Sequence, residues 1–170
     1  PRFSRARYLA FPTEFIPRLQ AVVADLTRGM NDRQKAEAIM SYLAPPAFEY
    51  SLEGLPSDPQ NALEQFIFTG RKGNCEYFAS AMGIMLRMAG VPARLVTGYR
   101  GGFYNDAGGY YIVQEELAHV WVEAWDEEVA AWVRYDPTPP GGALTGLTGF
   151  NTWELYLDML DYQWSRLVVN

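Results

Sequence analysis

A second cysteine is missing from this 170-residue sequence, and so is a second histidine. One cysteine cannot form an internal disulfide, and one Cys with one His falls short of the roughly four ligands of a structural zinc site. Neither kind of staple is available, so the fold must rest on its core. Positive charge is also scarce: 14 Lys and Arg stand against 20 Asp and Glu, a net charge of -6. No basic stripe with interleaved aromatics occurs, and nucleic acid is not an expected partner. No apolar run reaches the length of about 18 residues that a spanning helix needs, and Pro1 opens the chain without an initiator Met. The expectation is a fragment of something longer, with neither a signal peptide nor a spanning helix. Internal repeats and low-complexity tracts are absent as well.

What is present is apolar and aromatic. Hydrophobic residues make up 49% of the chain and aromatics 15%, enough at this length for one core that buries roughly 70% of the extended surface. Residues 13–30 and 32–43 carry apolar side chains at helical spacing: Phe15, Leu19, Val22, Val23 and Leu26, then Ala36, Ile39, Met40 and Leu43. Thr13 and Asn31 or Asp32 are the expected N-caps, Gly29 and Pro45 the expected stops. A short strand is expected at 48–52, and a third short helix around Ala62, Leu63, Phe66 and Ile67. From Asn74 to Ala89, Phe78, Ala79, Met82, Met85, Leu86 and Ala89 form one stripe, with Ala81 and Gly83 elsewhere on the helix; this predicts burial on most sides.

From Val91 the period changes to two, which predicts strands at 91–99, 110–114, 119–125 and 131–135. Helices first and strands second predict an α+β domain with an antiparallel sheet. Residues 137–150 read as a loop, and Asn151 opens a last helix. There Glu154, Asp158, Asp161 and Ser165 make a polar stripe, opposite Trp153, Tyr156, Leu157, Leu160, Trp164, Leu167 and Val168. The apolar face suits either docking on its own domain or a membrane interface. The whole chain, 1–170, is expected to be a single domain.

Three residues carry chemistry. Gly73 and Asn74 place Cys75 in the first turn of the central helix, where unpaired N–H groups and the helix dipole favour a thiolate. Glu76, the next residue round the helix, should point elsewhere. His119, Trp121, Glu123 and Trp125 share one face of a strand, and Asp136 closes the strand that follows. A symmetric turn centred on Glu127 and Glu128 sets His119 opposite Asp136, Trp121 opposite Arg134, and Glu123 opposite Trp132. Nucleophile, base and orienter are then Cys75, His119 and Asp136. The Cys75 N–H is one candidate oxyanion donor; the second is open among Tyr50, Gln65 and Asn74. Tyr77, Phe103, Tyr104 and Trp121 are candidate cleft residues, and the Gly-flanked loop 100–109 is a candidate flap. The acidic pairs Glu115-Glu116 and Glu127-Glu128 lack the spacing of a calcium loop, so neither a metal nor another cofactor is expected.

Four blocks in order carry a resemblance: Gly73-Asn74-Cys75-Glu76-Tyr77-Phe78-Ala79; Ala89-Gly90-Val91-Pro92-Ala93-Arg94 with Gly98-Tyr99; His119-Val120-Trp121-Val122-Glu123; and Trp132 through Asp136-Pro137-Thr138. Spread over about 60–140, they resemble the transglutaminase-like superfamily, with its papain-like core of a Cys-bearing helix on an antiparallel sheet bearing His and Asp. Tyr8-Leu9-Ala10-Phe11-Pro12 and Leu160-Asp161-Tyr162-Gln163-Trp164-Ser165-Arg166 narrow the likeness to bacterial membrane-anchored transglutaminases of the TgpA type. The resemblance implies acyl transfer from a protein glutamine through a Cys75 thioester to an amine. It also implies a periplasmic or extracytoplasmic location, protein or peptide partners that carry glutamine and amine groups, and a membrane reached through flanking segments absent here. A cysteine peptidase or amidase with water as acceptor is the alternative within the same triad, and a binding module that has lost catalysis is a third.

Overall fold

The computed structural model describes residues 4–12, 17–56, 58, 61–140 and 150–169. The expected cap Thr13, the apolar Phe15 and most of the expected loop 137–150 lie outside them. The chain divides into two compact units, Pro1–Thr97 with His119–Gly142, and Gly98–Ala118 with Ala143–Asn170.

In the first unit, α1 (Arg5–Leu9), α2 (Pro17–Leu26) and α3 (Asp32–Tyr42) precede a two-residue strand β1 (Glu49–Tyr50). Asn31 caps α3 in a reciprocal capping box with Gln34. Next, α4 (Ala62–Glu64) widens into a π-helical turn, Gln65–Gly70, which ends on Arg71 in the left-handed conformation. Strand β2 (Lys72–Gly73) then lies parallel to β1, Tyr50 beside Gly73, immediately before α5 (Cys75–Met88).

Helix α5 is the centre of the core, as its composition predicts: Phe78, Ala79, Ala81, Met82, Met85 and Leu86 are all fully buried. Leu19 and Val23 of α2, Ala36 and Ile39 of α3, and Phe48, Phe66 and Ile67 pack into the same cluster. At its far end Gly90 takes φ +80° and lets the Val91 N–H reach the Leu86 carbonyl at 2.9 Å, closing the helix.

The sheet of this unit has the order β3 (Ala93–Tyr99), β6 (Ala118–Asp126), β7 (Ala131–Tyr135). Val122 and Ala124 of β6 enter the core, while His119, Trp121, Glu123 and Trp125 belong to the alternate positions. The β6 and β7 register differs from the symmetric turn. Glu123 faces Arg134 and Trp125 faces Trp132, a slide of two residues. The cause is local: the Asp126 carboxylate accepts the N–H groups of Glu128 and Val129 at 2.9 and 3.3 Å, and Ala130 adopts φ +51°. A tight turn on Glu127 and Glu128 would need two left-handed residues there, which acidic side chains do not favour. An even slide leaves every side chain on its original face.

In the second unit β4 (Phe103–Asn105) pairs antiparallel with β5 (Tyr110–Ile112). A single 3₁₀ turn, Glu115–Leu117, follows, and later α6 (Thr152–Trp164), capped by Asn151 in a box with Glu154. The buried Asn105 ties the hairpin to α6: its Oδ1 accepts the N–H groups of Ala107 and Gly108, and its Nδ2 donates to the Leu155 carbonyl at 2.9 Å. Tyr110 donates its hydroxyl to Asp158 and lies against Tyr162, ring centroids 4.7 Å apart. The helix therefore meets the hairpin through part of its polar stripe. Within this unit the apolar face of α6 is not the one that meets the hairpin: Trp153 is 76% exposed and Leu167 78%, with Leu157, Leu160 and Trp164 exposed between them.

Candidate active site

Cys75, His119 and Asp136 all belong to the first unit. Cys75 is the first residue of α5 and is partly buried. The Asn74 side-chain carbonyl takes the N–H groups of Glu76 at 3.1 Å and Tyr77 at 3.4 Å, which fixes the helix start on which the thiol sits. Glu76 is exposed, turned to solvent as its place on the helix requires. Before the cysteine the chain is tightly confined: a Cβ on Gly73 would meet Tyr77 Cβ at 2.7 Å and Phe66 Cε2 at 2.9 Å.

His119 is 2% exposed, near the start of β6. Its Nε2 lies 2.8 Å from Asp136 Oδ2, so the imidazole and the carboxylate meet as the sequence requires, diagonally across the slid register. Asp136 stands one residue past β7, and its other oxygen, Oδ1, accepts the Thr138 N–H at 3.2 Å. The carboxylate is thus held from both sides, one oxygen on the backbone and one on the ring. Trp121 stacks beside His119, centroids 6.3 Å apart and planes 25° from parallel. The Arg134 guanidinium lies over that indole at 4.4 Å and reaches Asp136 Oδ2 at 3.6 Å.

Of the remaining expected residues, Tyr50 runs beside Gly73 through the β1 and β2 pairing, two positions before the cysteine. Gln65 opens the π-helical turn, and the Asn74 side-chain carbonyl is taken up by capping. Tyr77 packs on Phe66, centroids 5.7 Å apart, at the edge of the core. Phe103 and Tyr104 form β4 in the second unit, where Phe103 meets Phe150 and Tyr104 meets Tyr111. The expected flap 100–109 accordingly contains strand β4, with its turn pinned by Asn105. Arg134 was expected opposite Trp121 and Thr138 at the end of the last motif block, but neither was expected to hold Asp136. Arg134 lies two residues before Asp136 on the same face, and Asp-Pro-Thr is a local turn signal in which the Asp side chain caps the backbone two residues on. No group of three or more His, Cys, Asp or Glu side chains suited to a metal occurs among the described residues.

The chain belongs to the transglutaminase-like superfamily, whose profile matches residues 20–137. It is 37% identical over 136 residues to the protein-glutamine gamma-glutamyltransferase of Pseudomonas aeruginosa, covering 79% of this chain and 20% of that protein. The fold is similar to the crystal structure of the periplasmic domain of TgpA from Pseudomonas aeruginosa bound to ethylmercury: TM-score 0.71, 36% identity, 78% of this chain and 48% of that one. A putative cysteine protease from Cytophaga hutchinsonii superposes with TM-score 0.57 and 25% identity over 81% of this chain and 43% of that one. The chain therefore spans about a fifth of the Pseudomonas enzyme. Because the profile begins at residue 20, upstream of the motif-bearing stretch, α2 and α3 belong to the family pattern as well.

Proposed function

We propose that this chain is a thiol acyltransferase acting on protein glutamine, with Cys75 as nucleophile, His119 as base and Asp136 as orienter. The observation that carries the reading is the 2.8 Å contact of buried His119 Nε2 with Asp136 Oδ2, on a unit whose central helix begins at the chain's one cysteine. With Nε2 donating to the carboxylate, Nδ1 is the nitrogen that takes the thiol proton. The thiolate attacks the glutamine carboxamide carbon, and the Cys75 N–H stabilises the oxyanion. Tyr50, Gln65 and Asn74 remain the candidates for a second donor. The C–N bond breaks as His119 returns the proton to the departing ammonia, leaving a thioester. A primary amine, deprotonated by His119, then attacks the thioester and frees the thiol.

The named activity of the Pseudomonas enzyme supports transfer to an amine, and the periplasmic origin of the TgpA domain supports an extracytoplasmic setting. Within the first unit, Tyr77 and Trp121 are the aromatics assigned to the cleft, and the chemistry needs no metal. A second reading, hydrolysis of a peptide bond by the same three groups, is supported by the likeness to a putative cysteine protease. Incubation with a glutamine-rich protein and a fluorescent primary amine separates them. Label incorporated with release of ammonia, and lost in Cys75→Ala, supports transfer. Cleaved backbone without label supports the peptidase and contradicts transfer.

A further inference from the structure

The surroundings of the His119 and Asp136 pair hold a cation that the proposed chemistry does not use. Arg134 faces Glu123 directly across β6 and β7, and such a carboxylate is its default partner. Glu123 is instead taken by Arg94, whose Nε and Nη2 lie 2.8 and 2.6 Å from a single Glu123 oxygen. The Arg94 guanidinium itself rests over Trp132 at 4.3 Å. Displaced from its cross-strand partner, Arg134 turns along the diagonal. It lies over Trp121 at 4.4 Å and approaches Asp136 Oδ2 at 3.6 Å.

Four groups then close a ring: Arg134 on Trp121, Trp121 on His119, His119 on Asp136, and Asp136 back to Arg134. Each pair shares a strand face or a cross-strand diagonal, so the ring follows from the register itself. His119 and Arg134 address the same carboxylate oxygen, but at 2.8 Å only the imidazole is within hydrogen-bonding distance. The guanidinium draws the carboxylate into place without taking over that bond, and its cation–π contact holds the indole beside the imidazole.

We propose that Arg134 is a positioning residue of this site, holding Trp121 against the face of His119 and Asp136 against its edge. The inference rests on the assignment of His119 as the base for Cys75. Arg134 touches neither the nucleophile nor the scissile group in this account; it acts through the two residues that fix the imidazole.

The rate of Cys75 alkylation by iodoacetamide near neutral pH, followed by intact mass, reads the reactivity of the pair without assuming an acceptor. Wild type, His119→Ala, Arg134→Gln and Arg134→Lys are compared, with the thermal midpoint recorded for each. The expectation is that Arg134→Gln slows alkylation about tenfold with an unchanged midpoint, the scale of one ion pair plus one cation–π contact. Arg134→Lys, which retains the charge but not the delocalised guanidinium, should recover roughly threefold of that loss. A general loss of packing would lower the midpoint and would not be rescued by lysine. If His119→Ala slows alkylation while Arg134→Gln matches wild type, or if Lys is no better than Gln, this proposal is overturned and the base assignment stands. If His119→Ala leaves the rate unchanged, the base assignment fails and takes the proposal with it. Should Arg134→Gln not fold, Arg134→Lys alone decides: a partial loss at an unchanged midpoint supports the role, and wild-type or His119→Ala reactivity contradicts it.

Discussion

Asp136 accepts the Thr138 N–H on one oxygen and meets His119 on the other, so the carboxylate cannot rotate without losing one of the two. Asparagine in its place keeps the shape but can present either its oxygen or its amide nitrogen to the ring. If the nitrogen faces His119, the imidazole must accept there, and Nδ1 becomes the protonated atom, unable to take a proton from sulfur. Asp136→Asn is therefore expected to reduce amine incorporation on the order of a thousandfold, the usual scale of a lost general base, with little change in thermal stability. Steady-state rates beside a melting curve check this. Equal activity in the variant would remove Asp136 from the mechanism. At this scale the sequence was informative because the signals were local. Gly73 and Asn74 mark the start of α5, and one face of β6 carries both His119 and Trp121. The meeting of Arg134 with Trp121 was legible as a cross-strand pair, but its approach to Asp136 was not, because that depends on Arg94 having already taken Glu123.

Among the elements, the start of α5 is the most constrained. Gly73 lies where β2 ends and the Phe66 ring and Tyr77 close in, so a methyl group there has no room unless Phe66 or α5 moves. Gly73→Ala is expected to cost about 1–3 kcal/mol of stability, as overpacking does. It should also lower the reactivity of Cys75, two residues on, beyond what the stability loss explains. Chemical denaturation and thiol alkylation test the two parts; a variant as stable and reactive as wild type would show that the confinement is not felt.

Helices α2 to α6 and the longer strands were legible from apolar periodicity, whereas the five-residue α1 was not. Register was not: Asp126 capping its own turn and Ala130 in the left-handed region are choices between competing local bonds, which periodicity does not carry. Strand β1 falls within the strand expected at 48–52, whereas β2 and β4 escaped, because two or three residues beside glycines offer no period to read. The pairing of His119 with Asp136 survived the slid register because the error was even.

For the whole molecule, the two units rest on different physics. The first is built on an apolar core around α5. The second ties α6 to the β4 and β5 hairpin through Asn105, Tyr110 and Asp158, a polar arrangement that the stripe of α6 could not announce without knowing where Asn105 lies. Burial first, and then Asp158, push the Tyr110 phenol from its ordinary 10.0 up to about 12. A raised folded-state value means that this group's contribution to stability is complete below 10.0 and is lost as pH rises toward about 12. Burial raises the Tyr135 phenol as well, so an alkaline absorbance titration should show a late-ionising component, and Asp158→Asn should bring the Tyr110 part of it some of the way back; a titration unchanged by Asp158→Asn would contradict the linkage.

The central claim, that His119 arms Cys75 for attack on a carboxamide, is tested most directly by intact-mass detection of the acyl-enzyme. The protein is mixed with a small glutamine peptide and quenched in acid before an acceptor is added. The account predicts an adduct equal to the peptide minus ammonia, mapped to Cys75 and missing in His119→Ala. No adduct in wild type, or an adduct that persists without His119, would contradict it.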